Sequence, residues 1–324
     1  MKYYLPGIFF GLIYSLISVG FNPLHAQIWP NKPVRIIVPY APAGNTDAIA
    51  RLVAERLSGV FSQSFVVENK PGAGGATAAE YVSKSAPDGY TLFLAALSQF
   101  GPVPVTQKVN YDPINDFTPI ANVAANGFVI AVTSKLPVNN LTEYVAYVRA
   151  RPNKLNYGTG GTGSMTHLAP LLFLKRAGIE MVHVPYKGGA PALADLLSGQ
   201  VEMYAGSPSE LIPLMSSGRF KTLAITSLNR NPQMPNVPPI SDFYPGFKAE
   251  TWNGLLGPAN MNMAVVEKLS SEIQKLLKDQ DFLMKLSKFG LEPVPTTPAS
   301  FSSDLKNDHL LWKDLIKSSQ VVID

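Results

Sequence analysis

Residues 158–169, GTGGTGSMTHLA, hold the stretch whose spacing comes nearest to a known chemistry: Gly158, Gly160 and Gly163 form a G-x-G-x-x-G that runs into a helical pattern. In a dinucleotide site those glycines follow a buried strand, the pyrophosphate sits on the helix N-terminus, and an acid about 20 residues on ends a second strand. Here the preceding KLNYG is short and polar, and Glu180 falls between a helix and a strand. The same loop suits a smaller anion. A helix start presents unpaired N–H groups and a positive dipole end, and glycines let a ligand approach the backbone. Neither G-x-x-x-x-G-K-[ST] nor G-x-S-x-G occurs. Catalysis finds few candidates. There is no cysteine, and His167, His183 and His309 show no helical metal-ligand spacing. Asp47 has no second carboxylate placed beside it and reads as a helix cap and loop brace. His167, in the first turn after the loop, caps, meets ligand or packs, and His183 reads as a packed or edge strand residue. No catalytic residue, metal or cofactor is assigned, and the chain is not read as an enzyme.

Alternating strands and helices position this loop. VRIIV at 34–38 is a continuous apolar run of the buried-strand type, followed by a Pro-Ala-Gly loop and a helix that Thr46 or Asp47 can cap, ending near Leu57. The pattern recurs through SFVVENKPGAGGATAAEYVSKSAPDGYTLFLAAL, and again from Phe128 to KTLAITS at 221–227. Such alternation predicts βαβ units and parallel sheets. The Pro-rich stretch 231–246 is a loop, and helices follow over 264–288 and 298–317. Four Gly-bearing loops stand between a strand and a helix, at 42–47, 71–76, 158–166 and 187–191. In an open parallel sheet these lie at the carboxyl ends of the strands, where ligands bind. A carboxylate needs about four directed donors to replace its water, which several helix ends supply without a buried Arg or Lys.

The chain opens MKYYLPGIFFGLIYSLISVG, one lysine and then an apolar run from about Ile8 to Val19, and polar and small residues lead to Ala26. This is the order of a cleaved secretory signal peptide, so residues 1–26 are expected to be removed. The run is shorter than the ~20 residues of a membrane span, and no second run of that length follows. Removing residues 1–26 takes away Lys2 alone, leaving 26 Lys and Arg against 23 Asp and Glu, a net of +3. The charges are scattered singly, which gives a nucleic acid nothing to grip. Just under 300 remaining residues suggest two lobes rather than one core.

NKPVRIIVPYAPAGNTDAIAR, VVENKPGAGG, APDGYTL, YGTGGTGSMTHLA, VPYKGGAPALADLLSGQVE and KTLAITS occur in this order. Together they resemble the Bug-type periplasmic solute-binding proteins of tripartite tricarboxylate transporters, over essentially the whole chain after the leader. The resemblance implies an α/β fold of type II-like periplasmic binding form, with two parallel-rich sheets flanked by helices and a hinge cleft. One lobe is expected to hold 27–127 plus 251–324, the other 128–250. It implies a monomer that closes on a small organic acid and delivers it to membrane transporter subunits, with a sensor partner or an exported NAD-dependent enzyme as the alternatives. It places the acid on the first loop, Ala43, Gly44, Asn45 and Asp47, and on Thr159, Gly160, Thr162, Gly163 and Ser164, with His167 just behind. From their places at strand ends, Ser98, Gln99, Gly206 and Ser207 join the candidate set, as do Tyr40 and Tyr186, which could close over a ligand, and Lys187, which pairs with an anion or is solvated.

The chain departs from the family pattern in two places. Pro42-Ala43-Gly44-Asn45-Thr46-Asp47 replaces the usual Pro-Gly-Gly-Gly-Thr-Asp, and Tyr204-Ala205-Gly206 stands where Met-Phe-Asp is frequent. The second change predicts a roomier, less acidic wall and a ligand without an essential ammonium group.

Overall fold

The computed structural model describes residues 1–3, 29–42, 44–186 and 188–319; the leader assigned to 1–26 lies almost wholly outside the described residues. The chain first lays down β1 (Val34–Val38), α1 (Asn45–Phe61), β2 (Phe65–Asn69), α2 (Ala76–Ser83), β3 (Thr91–Ala96), α3 (Pro102–Thr106) and β4 (Phe117–Gly127). It crosses at Phe128 into β5 (Val129–Thr133), α4 (Leu141–Arg149), β6 (Asn156–Thr159), α5 (Met165–Ala177), β7 (Val182–Pro185), α6 (Gly189–Ser198), β8 (Met203–Gly206), α7 (Pro208–Leu211) and β9 (Phe220–Ile225). It returns through a Pro-rich loop to β10 (Glu250–Pro258), α8 (Met263–Leu276), α9 (Gln280–Lys288), β11 (Glu292–Pro293) and α10 (Pro298–Ser319).

The strands form two sheets, ordered β11-β4-β10-β3-β1-β2 and β7-β6-β8-β5-β9. Both are mixed, where the alternation alone predicted parallel sheets. β1 is parallel to β2 and β3, and β6 to β7 and β8, as βαβ units require. The strands next to the crossovers run the other way: β10 is antiparallel to β3 and β4, and β5 to β8 and β9. β4, TPIANVAANG after Phe117, has no clean apolar period because Pro119, Asn122 and Asn126 interrupt it, so sequence pattern does not mark it as a strand.

The two crossovers lie side by side and are stapled by one fully buried side chain. Thr226 accepts at Oγ1 from the Phe128 N–H (2.7 Å) and donates the same hydroxyl to the Ala249 carbonyl. Its own backbone bonds Phe128 O (2.9 Å) and Ala249 N (3.0 Å). Gly127 is required beside it, since a Cβ there would stand 2.6 Å from the Ser227 nitrogen. Beneath the crossovers an aromatic cluster, Phe100, Phe117, Trp252 and Phe301, packs with ring centroids 5.1–5.6 Å apart. α10 covers it with Phe301, Leu305 and Trp312, and each such fully buried ring or aliphatic chain contributes on the order of 1.5–3 kcal/mol.

Candidate binding cleft

A cavity of about 690 Å³ opens between the two sheets. Its first-lobe wall comes from Tyr40 after β1, the start of α1 at Asn45 and Thr46, and Ser98 after β3. Thr162, Gly163, Ser164 and Met165, with Ser207 ahead of α7, form the facing wall, and Asn126, Thr251 and Asn253 line it from the crossover strands. Gly74, Ala96, Val103, Thr106 and Gln107 complete the lining, so among the described residues no charged side chain faces the cavity.

The helix starts of this chain differ in whether a side chain caps them. Asn140, Asn262 and Asp279 cap α4, α8 and α9 with side-chain oxygens, as helix starts normally demand. Gly44 before α1 and Ser164 before α5 make no side-chain cap hydrogen bond. Thr46 and Asp47, expected to cap, instead sit in the first turn of α1. The Thr46 hydroxyl donates to Asn253 Oδ1 (2.7 Å), tying α1 to β10. Asp47 is buried and accepts from Arg51 (2.9 and 3.1 Å) and from Asn69 Nδ2 (2.9 Å), which also donates to Tyr40 O. The acid therefore braces the first loop and does not face the cavity. Among the described residues, the N–H groups of Asn45 and Thr46 in one lobe, and of Thr162 and Met165 in the other, meet no protein acceptor. All four residues line the cleft.

The glycine loop is tied up more than its sequence suggests. Gly160 N donates to Thr166 Oγ1 (2.8 Å), Gly161 N to Thr159 Oγ1 (3.3 Å) and Gly163 N to His167 Nδ1 (3.1 Å). Those amides shape the loop, and Thr162 and the first turn of α5 are left to meet a ligand. His167 is 2% exposed and stacks on His183 with centroids 3.9 Å apart and planes 8° from parallel. Burial, and then the neighbouring His183, push the His167 pKa down to about 3, and burial lowers His183 as well. A neutral His167 with its proton on Nε2 is what lets Nδ1 accept from Gly163. The His183 Nε2 pairs with Thr159 Oγ1 (2.8 Å).

Of the residues singled out by sequence, Tyr40, Asn45, Ser98, Thr162, Gly163, Ser164 and Ser207 line the cleft. Ala43 and Lys187 lie outside the described residues. The others are placed behind its walls. Gly44 sits one residue ahead of α1, Gly160 packs against Gly188 and Gly189, and Thr159 and His167 belong to the stacked histidine assembly. Gln99 is fully buried beneath Tyr40 and Ser98. Tyr186 turns away, its hydroxyl donating to Asp195 of α6 (2.6 Å), so it does not close over the cavity. Gly206 packs on the Tyr204 ring, and Tyr204 itself is fully buried with its hydroxyl on Glu210 (3.1 Å). Glu210 also accepts from Ser207 N (3.1 Å) and does not line the cavity. Asn126 and Asn253 were not anticipated. Their signal is an Asn-Gly pair inside each of two otherwise apolar runs, VAANGFV and TWNGLL, because an asparagine buried in a strand needs a reason.

The model of the tripartite tricarboxylate transporter family receptors matches residues 49–321. The chain belongs to that family. Among solved structures, a receptor of this kind, the periplasmic binding protein BugD, is 32% identical with a TM-score of 0.73, over 90% of this chain and 99% of its own. Rpa4515 from R. palustris, solved with adipate, is 33% identical with a TM-score of 0.77 and the same shares covered. MatC from Rhodopseudomonas palustris, solved with malate, is 30% identical with a TM-score of 0.72, over 89% of this chain and 99% of its own. The receptor is thus a two-lobed solute-binding protein and not an enzyme. The dinucleotide reading loses its structural context too: β6 is only four residues long, and Glu180 is held outside the loop by Asn153 (2.7 Å). Among the described residues no helix is long and apolar enough to cross a membrane, and no group of His, Cys, Asp and Glu could hold a metal ion.

Proposed function

We propose that this receptor captures a small organic acid in the interlobe cleft and delivers it to a tripartite tricarboxylate-type membrane transporter. The observation that carries the reading is the set of four unpaired N–H groups, Asn45 and Thr46 facing Thr162 and Met165, on a cavity that no charged side chain among the described residues lines. Two opposed helix starts concentrate positive potential, and their donors match carboxylate lone pairs. Among the described residues an ammonium group finds no carboxylate there to pair with, which supports organic acids without an essential amine. The relatives solved with adipate and malate fit this class.

In this reading the lobes 27–127 plus 251–324 and 128–250 rotate about the Thr226-stapled crossovers, and ligand favours the closed state because only closure brings both helix starts onto it. The protein acts in the periplasm as a monomer after losing residues 1–26. Thermal unfolding of purified protein, refolded free of ligand, against four- to eight-carbon carboxylates, amino acids and NAD tests it. Ligand at ~100 times its dissociation constant adds about 2.7 kcal/mol. Stabilisation by organic acids alone is expected; stabilisation by NAD and by no carboxylate would sink the reading.

A further inference from the structure

The floor of the cleft contains hydrogen bonds whose proton count has a consequence for the ligand. Gln99 is fully buried, and both ends of its amide are fixed. Oε1 accepts from the Ala96 N–H (2.8 Å) and Nε2 donates to the Gly74 carbonyl (2.8 Å), so the amide cannot be reversed without setting oxygen against oxygen. Its backbone is held as well, since the Tyr111 hydroxyl donates to Gln99 O (2.8 Å). Nε2 has one hydrogen left, which faces two hydroxyl oxygens, Tyr40 Oη at 3.0 Å and Ser98 Oγ at 2.9 Å. Those hydroxyls bond each other and both line the cavity. The pair owns two hydrogens and spends one on its mutual bond; among the described residues no protein acceptor takes the other. A phenol is the stronger acid and donates to an alcohol in preference to the reverse. Tyr40 is therefore the donor within the pair, and burial holds its pKa above the usual phenol value so that it keeps its proton. The Ser98 hydrogen is the unspent one.

We infer that Gln99, Tyr40 and Ser98 form a one-way hydrogen-bond relay, in which Gln99 and Tyr40 are positioning residues and Ser98 is the ligand-contacting donor that selects an anionic oxygen. This deepens, and rests on, the organic-acid reading. The Gln99 N–H is shared between the two hydroxyl oxygens and the Tyr40 O–H donates on to Ser98, so both polarise the Ser98 O–H toward the ligand. Because Gln99 already donates into the hydroxyl pair, the floor offers a hydrogen outward, which suits a carboxylate and opposes an ammonium or amide N–H.

The test is a double-mutant cycle on the full protein, read by calorimetric titration with adipate and malate, and with the other carboxylates of the panel if neither binds. Ser98→Ala should weaken the bound acid about tenfold to a hundredfold, the loss of one hydrogen bond to a charged group. Tyr40→Phe should cost about threefold in the wild-type background, through lost polarisation, and under twofold once Ser98 is alanine. The unliganded melting temperature of Ser98→Ala should stay near wild type, which separates recognition from folding. Affinity for Ser98→Ala within twofold of wild type, or equal Tyr40→Phe losses in both backgrounds, overturns the relay while leaving the organic-acid reading standing. A wild-type protein that binds no carboxylate overturns both.

Discussion

His167→Gln should flatten the acid limb of the stability curve. The ring accepts from Gly163 at Nδ1, lies 2% exposed and stacks on His183, so a proton on Nδ1 breaks the bond and buries a charge beside a second imidazole. Its pKa falls from 6.5 in the unfolded chain to about 3 in the fold. A base with a depressed folded pKa lends stability that is complete above the unfolded value and is lost as pH falls from 6.5 toward 3. The shift corresponds to on the order of 4 to 5 kcal/mol in full, of which about 3 kcal/mol is lost between pH 7 and pH 4. Glutamine keeps an oxygen for the Gly163 N–H and does not titrate. Urea unfolding of wild type and variant at half-unit steps from pH 7 to 4 gives the test, with the difference between the curves isolating this residue from the carboxylates. The difference should shrink by about 3 kcal/mol toward pH 4. Parallel curves across that range would refute a neutral, accepting His167.

Three further outcomes follow from other parts of the molecule. Asp308 on α10 accepts from the Trp252 indole (2.8 Å), and burial raises its pKa to about 6 from 3.8. A raised carboxyl pKa makes stability fall as pH climbs from about 4 to 6, so Asp308→Asn should be more stable than wild type at pH 8 by on the order of 2 kcal/mol, and equal to it near pH 4, in the same urea assay. Thr226→Val should lower stability by about 1–3 kcal/mol in calorimetric melting, because it strands the buried Phe128 N–H and Ala249 carbonyl at the crossovers. Asn253→Asp preserves the acceptor for Thr46 and puts a negative charge in the cleft. At ~4 Å and an effective dielectric near 20 that opposes a carboxylate by about 4 kcal/mol, so titration should find binding weakened by a factor on the order of a thousand.

The parts of the fold legible in sequence were those set by short-range pattern. VRIIV and TLFLAA read as buried strands because nearly every residue is apolar, and the glycine loops announced the helix starts that form the cleft. β4 and β10 were not legible, since their pairing joins residues 117–127 to 250–258 and neither has a simple period. The cleft residues fell the same way. Ser98 and Ser207 follow from their places after strands, and Thr162 and Ser164 from the resemblance of their glycine loop, whereas Thr251, Asn253 and Asn126 face the cavity only because the crossovers run beside it. Side-chain direction was the weakest inference. Tyr40 and Tyr186 occupy matching strand ends, yet Asp195 draws Tyr186 onto α6, a contact nine residues away that periodicity does not report.

The organic-acid reading can be tested on the four N–H groups themselves, which side-chain substitutions leave in place. Asn45 and Met165 are the first residues of α1 and α5, the position where proline is best accepted in a helix because its N–H has no intrahelical partner. Gly44 and Ser164 ahead of them are already extended, at ψ 169° and 160°, as a residue before proline must be. Asn45→Pro and Met165→Pro therefore delete one donor each at little cost to the fold. A hydrogen bond to a charged group is worth about 1.5–3 kcal/mol, so each proline should weaken a carboxylate ligand at least tenfold. Asn45→Ala and Met165→Ala, which lose the same side chains and retain the N–H, set the baseline. The two donors on either lobe together supply about 3–6 kcal/mol, against the ~5.5 kcal/mol needed to turn a 1:99 closed population into 99:1. Scattering from the ligand-saturated Met165→Pro protein should therefore show a larger radius of gyration than wild type under the same conditions. Prolines that bind as tightly as their alanine counterparts would show that the helix starts do not hold the ligand.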